Sequence, residues 1–111
     1  DEGGLWSSTN PTRLTFPFSG VYQISGYIKW EADADGYRLG RLVVNGTTEL
    51  VTLSNSSVGA GTATQVFVST AYAATAGQYV ELFGGHTAGN AIDITAGVDS
   101  NFLVAIYQFP I

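Results

Sequence analysis

Apolar and polar residues alternate along most of this chain with a period of two, and the run from Gly20 to Trp30 shows it most fully. One face of that run carries Tyr22, Ile24, Gly26, Ile28 and Trp30. The other carries Val21, Gln23, Ser25, Tyr27 and Lys29. Aromatic and β-branched residues in strict alternation predict a strand. The first face is apolar enough for a core. The second mixes small, polar and aromatic residues, which suits a surface that meets another subunit rather than plain solvent.

The same pattern predicts further strands over Thr12–Phe16, Tyr37–Val44, Thr47–Leu53, Thr62–Ala73, Tyr79–Phe83, Ala91–Thr95 and Phe102–Phe109. Asn45-Gly46 is a hairpin signal, because its turn needs positive φ at both positions. It makes the flanking strands antiparallel neighbours. In the strand after Tyr37, residues Tyr37, Leu39, Arg41 and Val43 oppose Arg38, Gly40, Leu42 and Val44. Thr75 to Gln78 reads as a turn, Gly84-Gly85 as a strand end, and Gly97 to Asn101 as another turn. Phe102 to Phe109 is apolar on both faces, so one sandwich core cannot absorb it. No window has a helical period. About eight short strands between turn signals give an all-β sandwich or barrel. Residues 1–11 read as an arm pinned by Trp6, and 12–111 as the single domain.

Composition sharpens this picture. At 111 residues the chain can bury about two-thirds of its unfolded surface. Charged residues are 12% of the total and hydrophobic ones 45%, and that charge share is about half the usual one. A surface so poor in charge is expected to be partly covered by partners. A net charge of −5, with Arg13, Lys29, Arg38 and Arg41 as the only strong cations, argues against nucleic acid and anionic membranes. There is no cysteine, hence no disulfide or thiolate chemistry. No apolar run reaches the roughly 18 residues of a membrane span, and no signal-peptide pattern is present. The chain opens on Asp1 rather than Met, as a piece of a longer protein would.

Four motifs then fall in order along nearly the whole chain. Phe16-x-x-x-Gly20-Val-Tyr22, Val43-Val-Asn45-Gly46, Tyr72-Ala-Ala-Thr-Ala-Gly77-Gln-Tyr-Val80-Glu-Leu82 and Ser100-Asn-Phe102-Leu-Val-Ala-Ile106 resemble the signature segments of the complement globular-head and tumour necrosis factor-like superfamily. Gln78 stands where the family has an acidic residue, and Val104 where it has Gly. Trp6, Asn10-Pro11-Thr12-Arg13-Leu14, Trp30 and Gly36-x-Arg38 resemble heads at the ends of bacteriophage fibres and some bacterial surface proteins. The resemblance implies a ten-stranded jelly-roll β-sandwich that forms compact homotrimers, on a virion or an extracellular surface. It also places the long strand and the last strand side by side near the trimer axis. With the low charge and the doubly apolar last strand, this makes Gln23, Ser25, Tyr27, Phe102, Val104 and Ile106 the expected trimer interface.

Candidate chemistry is sparse. Glu31, Asp33 and Asp35 before Gly36 look like the first half of a calcium loop, but position twelve is Leu42 instead of a bidentate Glu. A solvated acidic loop is the favoured reading, and no metal or other cofactor is expected. His86 is the only histidine, so a metal-binding cupin site is excluded. No G-x-S-x-G or similar element provides a nucleophile for it to serve as base, so an enzyme is not expected. Trp6, Trp30 and Tyr37 are candidates for stacking on a sugar, set against core packing for Trp30 and anchoring for Trp6. Asn45 and Asn55 stand in N-x-[ST] patterns, read as ordinary turn residues. The leading function is a non-enzymatic trimeric head, structural or receptor-binding, with a host-surface receptor or glycan as its outside partner. The alternative is a lectin-like carbohydrate-binding module.

Overall fold

A computed structural model describes residues 6–7, 10–32, 36–56, 63–87 and 101–111. Among the described residues there are strands and no helix: β1 (Trp6–Ser7), β2 (Asn10–Thr15), β3 (Gly20–Trp30), β4 (Tyr37–Val44), β5 (Thr48–Ser56), β6 (Thr64–Ala74), β7 (Tyr79–His86) and β8 (Asn101–Phe109). They form two antiparallel sheets, ordered β1-β2-β7-β4-β5 and β6-β3-β8. Three pairs are nested in the chain: β2 with β7, β3 with β6, and β4 with β5. The described residues form an all-β, sandwich-like fold of two antiparallel sheets.

Burial follows the alternation of the sequence. In β3 every even-numbered residue from Gly20 to Trp30 is buried and every odd one half-buried. Tyr22, Ile24, Ile28 and Trp30 join Phe16, Val66, Val68, Ala74, Leu42, Val44 and Val80 in one core cluster drawn from both sheets. In β4 the inward set is Arg38, Gly40, Leu42 and Val44. Leu50 is an extra residue in β5, between the pairs Leu42↔Val51 and Val43↔Glu49. Such a bulge re-aims a strand and twists the pair. Arg38, its side chain wholly buried near the start of β4, is a charge carried inside on the phase it shares with Gly40, Leu42 and Val44.

The Asn45-Gly46 turn forms as its sequence demands. Asn45 has φ 53° and Gly46 φ 73°, and Thr47 N–H donates to the Val44 carbonyl at 3.1 Å. The Asn45 side chain also accepts from Tyr79 N–H at 3.0 Å, tying the hairpin to β7. At the turn after β6, the Gln78 carboxamide oxygen accepts from Thr75 N–H at 2.9 Å and from the Tyr72 hydroxyl at 3.1 Å. A neutral side chain therefore fills the position where the resembled family is acidic.

Some boundaries differ from expectation. Gly84-Gly85 does not end a strand, since β7 runs on to His86 with Gly84 paired to Gly40 and Gly85 to Leu39. The reason is the core beneath. A Cβ on Gly84 would lie 3.0 Å from both Ile28 Cδ1 and Trp30 Cζ2, and one on Gly40 3.1 Å from Val66 Cγ1. The glycine pair gives up side chains to make room for large neighbours across the sandwich. β5 starts at Thr48 and extends to Ser56, beyond the expected end at Leu53. Phe16 closes the first predicted strand from outside it, with its backbone bonded to Gln78 and Gly77. Part of the expected arm is strand, with Trp6 opposite Leu14 and Ser7 opposite Asn10. The strand expected at Ala91–Thr95 lies outside the described residues, as does the turn before Asn101, and Asn101 itself opens β8.

Candidate assembly face on the three-stranded sheet

The sheet β6-β3-β8 has an inner face in the core and an outer face built from the opposite phase of each strand. Cross-strand register sets the outer face in rows. Phe67, Tyr27 and Phe102 make one row, Ser69, Ser25 and Val104 the next, then Ala71, Gln23 and Ile106, and last Ala73, Val21 and Phe109. The expected interface residues Gln23, Ser25, Tyr27, Phe102, Val104 and Ile106 thus lie together as three directly opposed pairs. The structure brings all six onto one face. It also adds β6, which the sequence reading had not placed there: Phe67 is 50% exposed beside Phe102. Its signal was present in the alternation of Val66 and Val68 with Phe67 and Ser69, but alternation does not say which strand lies next to β3.

On β8 the inward residues Leu103 and Ala105 pack against the core, while Phe102, Val104 and Ile106 are exposed, the last at 55%. This is how a strand apolar on both faces is accommodated. One phase serves the sandwich and the other is left outside. The rings at one end touch each other: Tyr27 and Phe102 stack with centroids 5.4 Å apart, and Phe67 meets Phe102 edge-on at 6.4 Å. Packed in this way, they close ranks as a solid apolar block.

Polar groups in the centre are bonded within the face. Gln23 Nε2 donates to Ser69 Oγ at 2.8 Å, and the Ser25 and Ser69 hydroxyls share a bond of 3.2 Å. These bonds meet part of the polar capacity of the face and so lower the cost of covering it. Charge is segregated in the same sense. Among the described residues, the outer phase of the three-stranded sheet carries Lys29 alone, at its rim, opposite Gln65. The outer phase of the other sheet carries Glu81, opposite Val43, and Arg41, opposite Phe83. Arg41 lies 3.7 Å from Glu49 and also approaches the Phe83 ring, its guanidinium carbon 5.6 Å from the ring centroid. Tyr37 and Phe83 are also exposed on that phase, so the two outer surfaces differ in their charge more than in their apolar content.

The remaining candidates do not gather into a site. Glu31 is exposed, and Asp33 and Asp35 lie outside the described residues. No group of three or more possible metal ligands occurs among the described residues. Trp30 is 2% exposed and belongs to the core, so it offers no ring to a sugar. Trp6 lies in β1, its backbone opposite Leu14, and its side chain is outside what is described. Tyr37 is exposed, with its backbone tied to Thr87 through Tyr37 N–H to Oγ1 and Thr87 N–H to the Tyr37 carbonyl, both 3.0 Å. His86 is exposed at the end of β7, in register with buried Arg38.

No protein-family model matches the chain, and no curated protein matches it in sequence.

Proposed function

We propose that this chain is a non-enzymatic head domain that assembles as a homotrimer and acts as a structural or receptor-binding module of a virion, in the manner of bacteriophage fibre heads. The observation that carries the reading is the outer face of β6-β3-β8, where Phe67, Phe102, Val104 and Ile106 lie exposed side by side and the one charge among the described residues, Lys29, stands at the rim. The nested pairs β2–β7, β3–β6 and β4–β5 support a jelly-roll path, which arises when one long hairpin is wrapped into two sheets.

The face alone is small for a face-to-face pair. Three strands about 4.8 Å apart and some nine residues long at about 3.3 Å each cover roughly 400 Å² in projection. A stable interface takes about 800 Å² per partner. In a closed threefold ring each subunit meets two neighbours through two different patches, so surface flanking this face would be covered together with it. The glycan-binding alternative draws on Tyr37 alone among the described aromatic candidates.

The test is Val104→Asp, at the middle of the face. Three carboxylates near one axis would each lose solvation and repel one another. The variant is expected to keep its β-sheet circular dichroism and to sediment as a monomer. A Val104→Asp protein that remains a stable trimer overturns the proposal.

A further inference from the structure

The apolar face holds a polar island that apolar contact does not require. Gln23, Ser25 and Ser69 sit mid-face, with Ala71 and Ile106 flanking Gln23 and Val104 beside Ser25. Their mutual bonds use only part of their capacity. Gln23 Nε2 donates one hydrogen to Ser69 Oγ, and the two serines share a single hydroxyl hydrogen bond between them. A carboxamide has two donors and an acceptor oxygen, and each hydroxyl has one hydrogen to give. The Gln23 Oε1 acceptor, the second Nε2 hydrogen and one serine hydrogen are therefore left over. On an open face, water takes them. Under a neighbouring subunit, each must find a protein partner or remain buried unsatisfied, at a cost.

We infer that the Gln23–Ser25–Ser69 island sets the register and copy number of the assembly, a role that rests on the trimer reading above. The leftover acceptor of one subunit is matched by the leftover donors of the next where identical islands converge about the threefold axis of that reading. A slipped register, or a pair packed face to face out of phase, covers the same apolar area but strands these groups against Ile106, Val104 or Ala71. Polar groups in an otherwise apolar contact act by penalising the wrong arrangements more than by strengthening the right one. The rows of aromatic and aliphatic residues give the assembly its strength, and the island gives it a single geometry.

Two variants of the whole chain test this against the wild type by sedimentation velocity and native mass spectrometry. Gln23→Leu with Ser69→Ala removes the island while keeping the face apolar. It is expected to assemble at least as tightly but into more than one species, with dimers or higher oligomers beside the trimer. Gln23→Glu puts a carboxylate where three copies converge. It is expected to weaken assembly at least tenfold at neutral pH and to recover it in acid, where the carboxylates are protonated. Melting of the isolated fold should be unchanged in both, because these side chains are outside the core. If the wild type is trimeric and Gln23→Leu with Ser69→Ala is still uniformly trimeric, the island has no such role while the trimer reading stands. PH-independent assembly of Gln23→Glu would likewise remove it from the axis. A monomeric wild type would overturn both inferences together.

Discussion

Replacing Trp30 with Ala probes the core directly. The indole is 2% exposed, so nearly all of its surface is withdrawn from water. A buried Trp contributes about 200 Å². At about 25 cal/mol per Å² this gives about 5 kcal/mol as an upper bound. Allowing for surface already hidden in the unfolded chain lowers it to roughly 3 to 4.5 kcal/mol, within the range for large aromatic truncations. A domain of this size has a total stability of about 5 to 15 kcal/mol, so at least a fifth of it is at stake. The melting temperature should fall by about 15 °C, at roughly 4 °C per kcal/mol. Urea and thermal melts must be compared at one protein concentration, because assembly stabilises the folded subunit by mass action.

The structure supplies an internal control. A methyl on Gly84 would lie 3.0 Å from Trp30 Cζ2 and 3.4 Å from Cη2. Gly84→Ala in the wild type therefore overpacks the slot, at about 1 kcal/mol or more. In the Trp30→Ala background the same methyl enters the space left by the indole. The double mutant should then be less destabilised than the sum of the singles, with coupling of about 1 kcal/mol. A loss below about 1 kcal/mol for Trp30→Ala would mean that the faces of β3 are reversed. Strict additivity with Gly84→Ala would mean that the crowding at Gly84 comes from Ile28 Cδ1, also 3.0 Å away, and not from the ring.

Three further outcomes follow from particular residues. Asn45→Ala loses both a residue tolerant of positive φ and the acceptor for Tyr79 N–H, so chemical denaturation should show a loss of about 1 to 2 kcal/mol; a neutral result would show that the hairpin does not depend on Asn45. Calcium should leave the melting temperature unchanged, because the acidic loop after β3 lacks the twelfth-position ligand; a calcium-dependent rise abolished by Asp33→Asn with Asp35→Asn would refute this. Val104→Asp should dissociate the assembly without unfolding the subunit, as judged by sedimentation together with circular dichroism.

Much of this was legible in the sequence because period-two alternation sets the face of each residue directly. It put Tyr22, Ile24, Ile28 and Trp30 inward and Gln23, Ser25 and Tyr27 outward, and the positive-φ demand of Asn45-Gly46 fixed one strand pair. Alternation is silent about which strands are neighbours across long loops. That is why Phe67 and Ser69 were not foreseen on the face, although they flank Tyr27 and Ser25. Gly84-Gly85 looked like a strand end because glycine is a local punctuator, whereas here the decisive fact is tertiary: Trp30 and Ile28 press on that point of β7. Arg38 was misleading in the same way. Its phase matched the inward set Gly40, Leu42 and Val44, and its charge gave no hint that it would follow them into the interior. For the acidic loop, spacing identified a candidate ligand set but only Glu31 lies among the described residues.

The most direct test of the central claim is the mass of the wild-type chain by sedimentation equilibrium at micromolar concentration. Three copies of an 11.7 kDa chain predict a single species of about 35 kDa whose mass does not change on moderate dilution. A mass of 11.7 kDa across the same concentrations would leave the apolar face open to solvent and would contradict the trimeric account.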